Sequence, residues 1–158
     1  MTTPQTHEAA EQRVTPAGRN VLSGVLLGVG IAAFVDETVF HQLLHWHHFY
    51  DKSTPAAGLV SDGIFHALGW FATVAALFLF ADLRRRGAFR GRRWWGGLLV
   101  GAGGFQLYDG TVQHKLMRLH QIRYDVDLAP YDWTWNVVAL LMIIGGVVLL
   151  RRSHRSGR

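Results

Sequence analysis

At 158 residues the chain has one domain's length, and with no cysteine it excludes disulfides, iron–sulfur clusters and thiolate metal sites. Its net charge of +5 would suit a nucleic-acid binder, but twelve of the sixteen Lys and Arg stand beside the ends of apolar blocks. There they orient spans and meet anionic lipid headgroups, so nucleic acid is excluded as a partner and the lipid bilayer takes its place.

Residues 1–18 carry two prolines and no apolar run, and they read as a disordered tail rather than a cleavable signal peptide. Four apolar blocks follow at 21–45, 64–83, 94–117 and 133–150, each near the twenty or so residues that cross a hydrocarbon core of about 30 Å. Six arginines from Arg84 to Arg93 fill the second connection, and Arg151, Arg152, Arg155 and Arg158 end the chain. The positive-inside rule puts both on the cytoplasmic side, together with the N-terminal tail. The expectation is an all-α protein of a bacterial inner membrane with both termini cytoplasmic. Residues 19–151 form the four-helix domain and 152–158 a basic tail.

Sliding the chain by 73 residues lays Gly24, Leu26, Gly28, Gly30, Asp36, Thr38, Val39, His41, Leu43 and His47 onto Gly97, Leu99, Gly101, Gly103, Asp109, Thr111, Val112, His114, Leu116 and His120. The first and third blocks therefore read as copies of one element, within repeats of about 20–83 and 94–151. Two helices per repeat make the copies parallel, and the predicted architecture is two duplicated hairpins forming one bundle. Glycines spaced four apart predict a close face between the first and third helices, or with a partner chain in a homo-oligomer or larger complex.

Histidines gather at the ends opposite the arginines: His41, His45, His47, His48, His66, His114 and His120, with Asp36, Glu37, Asp62, Asp109 and Asp132 at the same level. Ionisable groups in spans cost about 2.5–3.5 kcal/mol each on insertion scales, which makes them functional candidates. Spacings of four, four and three stack Glu37, His41, His45 and His48 on one helical face; Asp62 shares a face with His66, and Asp132 with Asn136. Asp36 is five residues from His41, which points it toward a neighbouring helix, and His47 joins His41 only if the helix ends near Trp46. His45 and His48, matched by Arg118 and Gln121 in the second copy, read as interfacial, and Lys115 and Arg118 as snorkelling outward.

Imidazole with carboxylate is a ligand set for zinc, copper or iron. The expected ligands are His41, His66 and His114, then His47 and His120. Asp36, Glu37, Asp62, Asp109, Asp132 and Asn136 are additional ligands or partners that orient the imidazoles. Two alternatives stand beside this: haem between two histidines, and a metal-free polar network of a structural or assembly subunit. If the chain is an enzyme, a metal-dependent membrane oxidoreductase is the expected class.

His41-Gln42, Trp46-His47-His48, the Asp62-to-His66 run, Asp109, His114, Leu119-His120 and Ile122-Arg123 resemble the bacterial integral membrane proteins catalogued as domain-of-unknown-function family 2243. The resemblance covers nearly all of 24–150 and implies a four-helix membrane protein. The chain differs from the usual pattern at Glu37, where glycine is commoner, and at Gln121, where a second histidine often follows the first.

Overall fold

The computed structural model describes residues 15–155, so most of the expected N-terminal tail lies outside the described residues. Helix α1 (Pro16–Val35) runs directly into a π-helical segment, π1 (Asp36–Leu43); α2 is Pro55–Arg85. Helix α3 (Gly91–Tyr108) likewise runs into π2 (Asp109–Leu116), and α4 is Ala129–Arg155. No strand occurs among the described residues. Three stretches are long and apolar enough to cross a membrane: Pro16–Leu43, Pro55–Arg85 and Ala129–Ser153.

Two helices begin earlier than hydropathy alone implies, because Thr-Pro pairs start them. The Thr15 hydroxyl accepts from Gly18 N at 3.1 Å and that of Thr54 from Ala57 N at 3.3 Å, with Pro16 and Pro55 at the first helical position, where a missing N–H costs nothing.

The helices form an open row in the order α2, α1, α3, α4 rather than a closed bundle, and α2 and α4 make no close backbone contact. Glycine placement accounts for this. A Cβ on Gly24 or Gly28 would overlap the carbonyl oxygens of Trp94 and Leu98, and one on Gly97 or Gly101 those of Val21 and Val25. The glycine face predicted for α1 and α3 is thus a contact within the chain. Gly30 lies about 200° around the helix from Gly28 at 100° per residue, and it seats Thr73 and Gly69 of α2 instead. Gly103 does the same for Ala139 and Ile143 of α4. Each central helix therefore admits a neighbour on two opposite faces, which lays the four out in a line.

The arginine end is pinned by polar bonds. Buried Asn20 donates to Pro16 O and Ala88 O and accepts from Arg90 N, while Arg19 pairs with Asp82 at 2.6 Å. At the opposite end the two connections cross. Asp51 N donates to Leu119 O at 3.1 Å, and Lys52 Nζ to Met117 O at 3.0 Å.

Candidate metal centre

The π segments decide which side chains meet. An α-helix places residues five apart on different faces; the wider π turn, closed by i to i+5 bonds, brings them together. Asp36 Oδ2 accordingly lies 3.7 Å from His41 Nε2, and Asp109 Oδ2 lies 3.1 Å from His114 Nε2. Both acids face a histidine of their own segment, contrary to the expectation that the spacing by five points Asp36 away from His41.

Both segments end alike. Leu44 N reaches Val39 O and Trp46 N reaches Phe40 O; 73 residues later Met117 N reaches Val112 O and Leu119 N reaches Gln113 O. His45 and Arg118 then take left-handed conformations, φ 50° and 51°, and the chain turns back over the helix end. This reversal returns His47 and His120 to the interior. His45 itself is exposed and leaves the face shared by Glu37 and His41.

Four imidazoles form a chain of contacts. His41 meets His47 edge to face with ring centroids 4.5 Å apart; His47 stacks on His120 at 4.5 Å and 4°; His120 meets His114 edge to face at 4.7 Å. All four, with Asp36, Glu37, Asp62 and Asp109, are at most 5 % exposed. His47 Nδ1 lies 3.0 Å from Ile122 O and His120 Nδ1 lies 2.9 Å from Phe49 O. A carbonyl only accepts, so each Nδ1 carries the proton and each Nε2 presents a lone pair. Burial, and then His120, His41 and His114 around it, push the His47 imidazole down to about 2, which keeps it neutral.

Among the described residues these polar atoms have no hydrogen-bond partner: Nε2 of His41, His47 and His120, both nitrogens of His114, one of which carries a proton, and Asp109 Oδ2 are buried and unsatisfied. The 3.1 Å approach of His114 to Asp109 lacks hydrogen-bond geometry. Donor atoms of Asp36, His41 and His47 lie within 4.8 Å of one another, as do those of His47, His114 and His120, spacings that an ion between them would draw together. Asp109 Oδ1 lies 3.5 Å from His120 Nε2 and accepts from buried Gln113 at 3.1 Å.

The halves differ around their first histidines. His41 Nδ1 hydrogen-bonds Asp62 Oδ1 at 3.1 Å, with Glu37 Oε2 at 2.9 Å. Asp62 also accepts from His48 Nδ1 at 2.6 Å and Phe49 N at 2.7 Å. In the second half Gly110 stands where Glu37 does, with Trp135 packed against it, and Gln121 replaces His48. Asp132, the counterpart of Asp62, pairs with Lys115 at 2.5 Å, and Asn136 donates to Asp132 O at 2.8 Å. Asp132 and Asn136 belong to neither group of converging donor atoms, although an oxygen of each is buried without a partner, and Lys115 is paired rather than simply snorkelling.

His66 is likewise not brought in. The inward stripe of α2 runs through Gly58, Asp62, Phe65, Gly69 and Ala76. His66 falls one position to the side, exposed beside Phe34 at 6.0 Å, and Phe65 stacks on His41 at 5.8 Å in its place. His66→Ala is expected to leave metal content unchanged by elemental analysis, whereas Asp62→Asn is expected to weaken binding about 10–100-fold, the usual cost of losing a partner that orients a ligand.

His48, which spacing put on the face of Glu37 and His41 but which read as interfacial, holds Asp62 instead; Gln113 and the carbonyls of Phe49 and Ile122 were not identified by spacing. Gln113 had a signal, an amide four residues after Asp109 in an apolar block; the carbonyls had none. A cavity of about 390 Å³ lined by His45, Trp46, His47, His48, Asp51 and Tyr124 adjoins the cluster at His47.

The chain belongs to the predicted membrane protein family DUF2243, whose model matches residues 23–153. No curated protein and no solved structure matches it.

Proposed function

We propose that this member of the DUF2243 family is a membrane protein that binds a transition metal through His41, His47, His114 and His120 with Asp36 and Asp109. The observation that carries this reading is the set of buried, unpartnered Nε2 lone pairs aimed at one another, two of them fixed in that tautomer by backbone carbonyls. Charge supports it as well. Among the described residues, Asp36, Glu37, Asp62 and Asp109 are buried with histidines as their only ion-pair partners and no Lys or Arg within ion-pair distance. Uncompensated buried carboxylates cost several kcal/mol each, which a bound cation offsets.

Zinc, copper(II) and iron all accept this donor set. Parallel imidazoles 4.5 Å apart leave no slot for a macrocycle between them, which favours bare ions over haem. The matching bonds 73 residues apart support a duplicated hairpin, with α3 and π2 as a fourth span and one ligand set per repeat. The arginine end is then cytoplasmic and the histidine end faces outward, where the centre would serve metal handling, assembly of a metalloenzyme or redox chemistry.

Elemental analysis of detergent-purified protein beside a His41→Ala, His114→Ala double variant tests the reading. Near-stoichiometric copper, zinc or iron that is lost in the variant is expected. A folded wild type that takes up none of these metals would leave the cluster a structural polar network.

A further inference from the structure

An apolar groove of about 590 Å³, within the range of about 300–1,000 Å³ typical of ligand pockets, lies between the first turns of α4 and the loops that cap the histidine cluster. Phe40, Trp46, Ile122, Tyr131, Trp135 and Val138 line it. Three of its polar groups are already used: the Trp135 indole N–H donates to Gln106 O at 2.8 Å, the Gln106 amide to Trp135 O at 3.0 Å, and Thr134 to Pro130 O at 2.7 Å. Apart from the Trp46 indole and the Tyr131 hydroxyl the rest of the lining is mostly aromatic and aliphatic, so the body of an occupant must be apolar.

At its rim sits Arg123. The guanidinium lies 4.9 Å from the Trp46 ring centre and 5.7 Å from that of Tyr131, and donates to the Tyr131 hydroxyl at 2.7 Å. It is half-buried and, among the described residues, has no carboxylate within ion-pair distance, unlike Arg19, Arg85 and Arg86, which share Asp82, and Lys115, which holds Asp132. Two rings and a hydroxyl fix a cation whose remaining donors lack an anion. The groove runs from it along the start of Ala129–Ser153, an apolar stretch long enough to cross a membrane. A charge at the helix end above an apolar slot along the helix complements an amphiphile with an anionic head.

We infer that this groove is a binding site for one anionic phospholipid, its phosphate on Arg123 and an acyl chain along Trp135 and Val138. Arginine suits phosphate because its planar fork donates two parallel hydrogen bonds. The site is independent of the metal reading, although Ile122, which lines the groove, accepts the hydrogen bond from His47 Nδ1 through its carbonyl. An occupied groove thus backs the segment that orients His47.

The test is native mass spectrometry of delipidated protein titrated with phosphatidylglycerol or phosphatidylcholine in mixed micelles, with wild type, Arg123→Gln, Val138→Trp and Arg118→Asn compared. Wild type is expected to hold one phosphatidylglycerol at least about fivefold more tightly than phosphatidylcholine, from one well-placed arginine. Arg123→Gln should abolish that preference, and Val138→Trp, which fills the slot, should release both lipids. Arg118→Asn removes a charge from the same end away from the groove and should change nothing. Equal affinity for the two lipids in wild type would overturn the inference without any variant. So would retention of the preference in a folded Arg123→Gln protein, or a quinone recovered from native membranes in the lipid's place.

Discussion

Replacing His120 by alanine is expected to lower metal affinity by more than about 100-fold, above the 10–100-fold range for losing a partner that merely orients a ligand. Three losses coincide in that one change. A lone pair leaves the centre; the stacked face of His47 at 4.5 Å loses its support; and Phe49 O, which His120 Nδ1 holds at 2.9 Å, is released, loosening the loop that carries His47. Gln121→Ala, one residue on, removes only a 3.4 Å contact to His114 O and a bond from Lys115, so its affinity should stay within a few-fold of wild type. Competition with a chromophoric chelator reads both values. If the two variants retained metal equally, His120 would be a packing residue.

The second large effect concerns the scaffold. Gly28→Leu or Gly101→Leu is expected to cost about 3 kcal/mol or more, the upper end of overpacking penalties, and to leave little folded protein in detergent. The first added carbon meets main chain, Leu98 O in one case and Val25 O in the other, and main chain cannot turn aside as a side-chain tip can. Gly104→Ala is the matched control. Nothing lies within 4 Å of a Cβ there, so the higher helix propensity of alanine, worth up to about 1 kcal/mol, makes it neutral or stabilising. Thermal unfolding followed by size-exclusion chromatography separates the two classes. Equal melting of Gly28→Leu and wild type would mean that α1 and α3 are not held by this face.

Much of this arrangement was legible in the residues. Hydropathy located the helical blocks, and the glycine spacing announced the α1–α3 face. The 73-residue offset named Asp36, His41, His47 and their counterparts as a set. What spacing missed, it missed for identifiable reasons. Counting on a 3.6-residue period separates Asp36 from His41, and the π turn reunites them as it does Asp109 and His114. Placing His66 with Asp62 ignored the drift of an inward stripe that continues through Phe65 and Gly69. The shared face of Glu37, His41, His45 and His48 assumed a helix running past Leu43, where the chain instead turns through His45. The open row follows from Gly30 and Gly103 facing away from Gly28 and Gly101, a separation of two residues that a search for glycines four apart does not register.

X-ray absorption at the edge of whichever metal co-purifies addresses the central claim most directly. The account predicts a first shell dominated by imidazole nitrogen at about 2.0–2.1 Å for zinc, with the multiple scattering of two or more rings that diminishes in His47→Ala. A shell of oxygen alone, or an imidazole signal unchanged when His47 is removed, would contradict it.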